Sequence, residues 1–254
     1  MEHLEFVEQA RIHAEGLRAA ALAAGPDATV PTCPEWDVHR LVRHIARVHA
    51  WVIENLRTAD PEDPKPAPRP PEDWTDLLSW WDERLAELLE TLRDTDPATP
   101  VWVFSPFAPP TAGFWSRRMA HETAVHRLDA EHALAALHGG PDARPGLAFD
   151  PGFAADGVDE ALTRIVPAHI TDWARSRLRG TVRYHAVDAG RSWLVHVAPE
   201  QLPETTAYGS APETPEADAG VSGAADELYR AVWGRPHRAE VAGEMSLVEA
   251  VRAR

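Results

Sequence analysis

The sequence predicts an α plus α+β chain, an N-terminal four-helix bundle followed by a smaller C-terminal α+β domain. Three observations carry this. Four long segments before Gly139 repeat apolar residues at three-to-four spacing. The pattern turns strand-like and alternating after about Arg179. Between the two, Gly139-Gly140-Pro141 and the linker Arg144–Asp150 interrupt any regular element. The expected domains are residues 1–148 and 149–254.

Each element has a local reason. The first helix covers residues 3–24, with Leu4, Val7, Ala10, Ala14, Leu17 and Ala21 on one face and Gly25-Pro26 as its stop. Val30 to Glu35 forms a rigid connector, and Asp37 caps a second helix that runs to about Arg57. Its apolar face is Val38, Leu41, Val42, Ile45, Val48 and Val52. Asp60 to Pro71 holds six prolines, which excludes a helix or central strand and makes it a stiff surface linker. A third helix spans Trp74 to Arg93, with Leu77, Leu78, Trp81, Leu85, Leu88 and Leu92 on one face. After a Pro-rich loop, Thr111 caps a fourth helix reaching about Leu137.

In the C-terminal domain, Pro151 to Val166 is expected to be helical, with Asp156, Asp159 and Glu160 pointing outward. Thr181–Val187 and Trp193–Val197 alternate about the turn Asp188-Ala189-Gly190 and predict a hairpin. Glu204 to Gly220 reads as polar loop, Ala224–Trp233 as a helix, Ala239–Gly243 as a short strand, and a closing helix starts at Ser246.

Composition narrows the function. The 254 residues carry 25 basic and 40 acidic side chains, a formal net charge of −15. That charge argues against nucleic-acid or anionic-membrane partners, while leaving room for a local basic pocket that takes a small anion. No apolar run is long enough for a membrane helix, and the first residues lack the order of a secretory signal. The single cysteine, Cys33, excludes a disulfide framework and multi-Cys zinc motifs, so a cytoplasmic location is expected. In its Pro-rich corner Cys33 reads as structural rather than nucleophilic.

The residues that promise chemistry are histidines and acids. His121 and His126 are five apart on the fourth helix and point about 140° away from each other, so they cannot easily share a metal. Glu122 and His126 are four apart and diverge by only about 40°. They form a two-ligand half-site, and a divalent metal such as zinc accepts both a carboxylate oxygen and an imidazole nitrogen. A third ligand must come from another helix. The second helix offers His39, His44 and His49, about 130°, 90° and 50° from the centre of its apolar face. His39 is the poorest placed. His44 and His49 flank the stripe on opposite sides, and angle alone leaves the choice between them open. Three ligands from two helices would leave one position free, the pattern of a catalytic zinc. Asp129, three residues past His126, is placed to orient its second ring nitrogen, or else to pair with a nearby arginine. Arg117 and Arg118 precede Glu122 by about a turn. They read as surface ion pairs, with Arg118 the one placed to contact a carboxylate.

The stretch Val30–Ile45, VPTCPEWDVHRLVRHI, and the stretch Phe114–Glu131, FWSRRMAHETAVHRLDAE, resemble the two signature blocks of the mycothiol-dependent maleylpyruvate isomerase family. Looser similarity continues at Ala154–Glu160 and Leu228–Arg235. The resemblance implies a DinB-like metal-binding bundle and a sterol-carrier-like C-terminal domain. It implies a divalent metal, typically zinc, on His44, Glu122 and His126, and it is the resemblance that prefers His44. His49 then becomes the reserve ligand or a pocket-lining residue. The implied cosubstrate is mycothiol, the low-molecular-weight thiol of actinobacteria. Its metal-bound thiolate would attack a small-molecule electrophile, in isomerisation or in S-transfer. Arg235 is the position that best fits an arginine which, in the family, helps at the active site from the C-terminal domain. Its alternative role is to bond the carbonyls that end its helix. Two other readings stand beside this one: a noncatalytic metal- or ligand-binding module of the same fold, and a metal-dependent enzyme that uses no thiol.

Overall fold

The four helices of the N-terminal unit are His3–Ala24 (α1), Val38–Leu56 (α2), Trp74–Asp94 (α3) and Ala112–Gly139 (α4). The structure is a computed structural model that describes residues 1–58, 62–209 and 215–253. The chain divides into two compact units, Met1–Phe104 with Ala108–Leu147 and Ser105–Phe107 with Ala148–Arg254.

Caps fix where the helices begin. The Asp37 carboxylate accepts from the Arg40 amide at 2.7 Å, and Asp73 accepts from the amides of Thr75 and Asp76. Thr111 stands at the cap position of α4 without a side-chain cap bond. That start is held by the backbone, with Ala112 N–H donating to Thr99 at 2.9 Å. At the other end Gly140 takes φ 82°, a conformation that glycine adopts without strain.

The bundle core joins Ala14, Leu17, Leu41, Ile45, Leu77 and Trp81. α1 packs most extensively on α4, and both contribute many buried alanines, which allow close approach of the axes. The connector before α2 is a double turn: Val30 N–H donates to Trp36, Cys33 N–H to Val30 and Trp36 N–H to Cys33. It holds Thr32, Cys33 and Trp36 in fixed positions at the foot of α2.

Asp60 and Pro61 lie outside the described residues. From Glu62 on, the proline linker has no helix or strand, as its composition predicts. It is nonetheless anchored. Trp51 Nε1–H donates to the Lys65 carbonyl at 2.8 Å, and the Asn55 side chain bonds both the N–H and the C=O of Lys65.

In the C-terminal unit, Pro151–Glu160 (α5) is capped by Asp150 and continues into a π turn at Ala161–Ile165 and a 3-10 turn at Val166–Ala168. Ile170–Trp173 (α6) follows, then strands Gly180–Ala186 (β1), Arg191–Val197 (β2), Glu204–Tyr208 (β3) and Ala219–Gly223 (β4). Ala225–Val232 (α7), Glu240–Gly243 (β5) and Met245–Ala250 (α8) complete it. The five-stranded sheet has the order β3-β2-β1-β4-β5, with β1 and β4 parallel and the other pairs antiparallel. Four-helix bundle plus α+β domain is thus the architecture.

Two expectations are corrected. The segment Glu204–Gly220, expected as loop, contains β3 and the start of β4. β3 is an edge strand with little burial, so its sequence has no apolar alternation to show, and β4 is short and contains two glycines. Glu160, expected to point outward, is fully buried, and Asp159 accepts from Trp193 Nε1–H of β2 at 2.9 Å. α5 is covered by α7 as well as touched by the sheet, so little of its polar face reaches solvent.

Candidate metal centre

α2 and α4 run alongside each other in the bundle and bring His44, Glu122 and His126 together. One ligand atom from each lies within 4.8 Å of the other two. His44 Nε2 is 3.1 Å from Glu122 Oε1, and His126 Nε2 is 3.4 Å from the same oxygen. Metal–ligand bonds of about 2.0–2.2 Å in tetrahedral geometry require ligand atoms about 3.3–3.5 Å apart. The two separations to Glu122 Oε1 lie near that spacing, and two nitrogens and one oxygen within 4.8 Å make a donor set that a divalent cation of the zinc type accepts. The set is graded in exposure: the side chain of His44 is 36% exposed, that of Glu122 21% and that of His126 10%. The site is thus open on the α2 side and closed towards α4.

Surrounding groups hold the three in place. Asp129, fully buried one turn after His126, sets its Oδ2 2.9 Å from His126 Nδ1. With Nδ1–H donated to that carboxylate, Nε2 is the nitrogen that faces Glu122, and it offers its lone pair to a cation once its proton is displaced. The other Asp129 oxygen accepts from the Thr32 hydroxyl at 2.6 Å, and Cys33 Sγ lies 3.8 Å from Oδ2. Trp36 stacks on His126 with ring centroids 5.9 Å apart and tilts against His44 at 5.0 Å. Arg118, only 3% exposed, donates to Glu122 Oε2 at 3.2 Å, leaving Oε1 to the two histidines.

This network sets the charges. Burial pushes the Glu122 carboxyl up, but hydrogen bonds from His126 and His44, with Arg118 nearby, outweigh it and hold Glu122 well below the usual carboxylate range. Burial opposes a charge on His126, yet the Asp129 and Glu122 carboxylates prevail and raise its pKa to about 9. The Glu122 and Asp129 carboxylates outnumber the one guanidinium of Arg118, the His126 proton balances the remaining negative charge, and a cation can take the place of that proton.

The other predicted residues lie elsewhere. His49 is fully buried in the core. Its Nδ1 accepts from Trp81 Nε1–H at 3.2 Å, and its Nε2–H donates to Thr123 Oγ1 at 3.0 Å. With both nitrogens bonded within the core, His49 is not among the three converging groups. Burial pushes its pKa down to about 3, so it is neutral. His121 is fully buried with its ring 6.0 Å from that of Phe6 on α1. His39 bonds the Glu72 carbonyl. Arg118 is no surface pair but a buried partner of Glu122. Arg235 belongs to the C-terminal unit, where it follows the left-handed Gly234 and its Nη1 donates to the Trp233 carbonyl at 2.5 Å.

Sequence reasoning misses Thr32, which stands far from Asp129 along the chain. It also misses a row of arginines, Arg40, Arg43 and Arg47, on the face of α2 that carries His44. Their three-and-four spacing is the available signal.

Residues 7–131 match the family model described as the mycothiol maleylpyruvate isomerase N-terminal domain. The N-terminal domain of the chain therefore resembles that of the mycothiol-dependent maleylpyruvate isomerases. Beyond the matched domain, a crystal structure of the mycothiol-dependent maleylpyruvate isomerase superposes with a TM-score of 0.60 at 14% identity, covering 96% of this chain and 95% of that one. A histidine-to-alanine mutant of that isomerase gives a TM-score of 0.61 with the same identity and coverage. The isomerase fold therefore extends over both units of this chain. No curated protein matches it. Among the described residues, no helix is long and apolar enough to cross a membrane.

Proposed function

We propose that the chain is a metal-dependent thiol enzyme, with zinc on His44, Glu122 and His126, that uses mycothiol to isomerise or S-conjugate an electrophilic small molecule. The convergence of two imidazole nitrogens and one carboxylate oxygen within 4.8 Å carries the reading. His44, Glu122 and His126 would hold a divalent cation, which would leave room for a thiol and favour its ionised form at neutral pH.

The protein's own residues prepare that position. Asp129 fixes the tautomer and ring plane of His126, and Thr32 fixes Asp129. Arg118 restrains Glu122 from the far side. Trp36 covers His126 and limits water beside it. Arg235 is proposed to hold a substrate carboxylate, since a guanidinium fork presents several donors and matches a carboxylate bidentately. The cytoplasm is the proposed compartment, because the single thiol of Cys33 and a thiol cosubstrate both stay reduced there.

Elemental analysis of protein purified without a His tag tests the centre. About one zinc per chain, the stoichiometry of a mononuclear site, lost in His126→Ala, supports it. Consumption of an electrophile that requires mycothiol then supports the thiol reaction, and an Arg235→Gln variant with raised KM supports its carboxylate role. No metal after incubation with zinc would overturn the reading and favour a noncatalytic module. Turnover independent of any thiol would favour a metal enzyme without one.

A further inference from the structure

The face of α2 that carries His44 continues away from the metal centre as a basic wall. Arg40, Arg43, His44 and Arg47 follow one another at three-and-four spacing, and the anchored proline linker lays Arg69 opposite them. Together with Trp36 they line a cleft of about 520 Å³. Acid content within it is small. Glu72 bonds Arg43 at 2.7 Å and lies 3.7 Å from Arg69, so one carboxylate serves two guanidinium groups. Arg40 is held over the Trp36 ring at 5.6 Å, with one nitrogen on the Glu35 carbonyl. Arg47 makes no ion pair among the described residues. Four guanidinium groups against one carboxylate give this cleft a local positive excess on a chain whose net charge is −15.

We infer that this cleft is an oxyanion subsite, taking a carboxylate or phosphate group of a small molecule on Arg40, Arg43, Arg47 and Arg69 of the N-terminal unit. Guanidinium forks match planar or tetrahedral oxyanions bidentately, and a cleft wall of one sign concentrates small anions from solution. His44 belongs both to this wall and to the metal centre. A molecule anchored by its anionic end in the cleft therefore reaches the metal-site side of the same imidazole. That the bound molecule is the substrate rests on the function proposed above; the binding of an oxyanion does not.

The test is calorimetric titration of the full-length, metal-free protein at constant ionic strength with succinate, inorganic phosphate and the neutral analogue succinamide. Succinate or phosphate is expected to bind saturably and succinamide not, and the stronger of the two names the group. The double variant Arg40→Gln/Arg47→Gln is expected to weaken that binding by about tenfold or more, as loss of charge-assisted hydrogen bonds implies. Helical circular dichroism checks that the variant folds. His126→Ala is expected to keep the anion while losing metal, so failure of the metal reading and failure of this one are separable. Absence of saturable binding, equal binding of succinamide, or unchanged affinity in the double variant would overturn the subsite.

Discussion

Asp129 holds His126 from the side opposite the metal centre, its Oδ2 2.9 Å from the ring Nδ1. The same carboxylate takes the Thr32 hydroxyl at 2.6 Å. A residue of the connector before α2 thus braces a histidine of α4 through a single buried acid. The expected consequence is that Asp129→Asn keeps the bundle but weakens zinc affinity by about 10- to 100-fold, the usual effect of losing a partner of a metal-bound histidine. Thr32→Val should act in the same direction and by less. Competition with a chromophoric chelator measures both, and an unchanged affinity in Asp129→Asn would remove its orienting role.

Two neighbouring histidines on α4 should behave oppositely. His126→Ala is expected to lose most of the metal while helical circular dichroism stays largely intact, since its ring lies at the edge of the core. His121 is fully buried against Phe6, so His121→Ala should retain the metal and instead lose about 1–3 kcal/mol of stability. Equal loss of metal in both variants would contradict the angular argument that separates them.

Much of this architecture is legible in the amino-acid sequence. The helix pattern locates all four bundle helices, and the i,i+4 spacing of Glu122 and His126 isolates the half-site. The choice between His44 and His49 is not legible, because both flank the apolar stripe of α2. What separates them is α3: Trp81 presents an indole N–H that occupies Nδ1 of His49. No pattern within α2 records that partner. The edge strand β3 is hidden for a related reason, since its identity comes from the β2 hydrogen bonds that pair Ser192 with Tyr208 and His196 with Glu204 rather than from burial.

The burial of His49 makes an acid-stability prediction. Its pKa falls from 6.5 to about 3 in the folded chain, so on acidification the unfolded state takes up the proton first. The stability it contributes is present above about pH 6.5 and is lost progressively as the pH falls towards 3. Urea midpoints measured across that window should decline in the wild type. His49→Gln, which keeps a donor and an acceptor but cannot titrate, should show a shallower decline. Parallel declines would assign the acid sensitivity to other groups.

The metal centre should show the reverse dependence when metal-free. His126 has a folded pKa of about 9, above its ordinary 6.5, so its charged form stabilises the fold fully below 6.5 and this contribution is lost as the pH rises through 9. Glu122 is depressed, so its contribution is present above 4.5 and lost as the pH falls through its lower folded value. A cation needs the neutral imidazole and must displace the proton from His126. Apparent zinc affinity should therefore rise by up to about tenfold per pH unit between about pH 7 and 8.5, as expected for release of one proton. The gain in Tm on adding zinc should widen over the same interval, because the metal-free form weakens while the loaded form does not. A zinc affinity flat in pH would mean that His126 is already neutral in the folded, metal-free chain, and that the two carboxylates fail to overcome its burial.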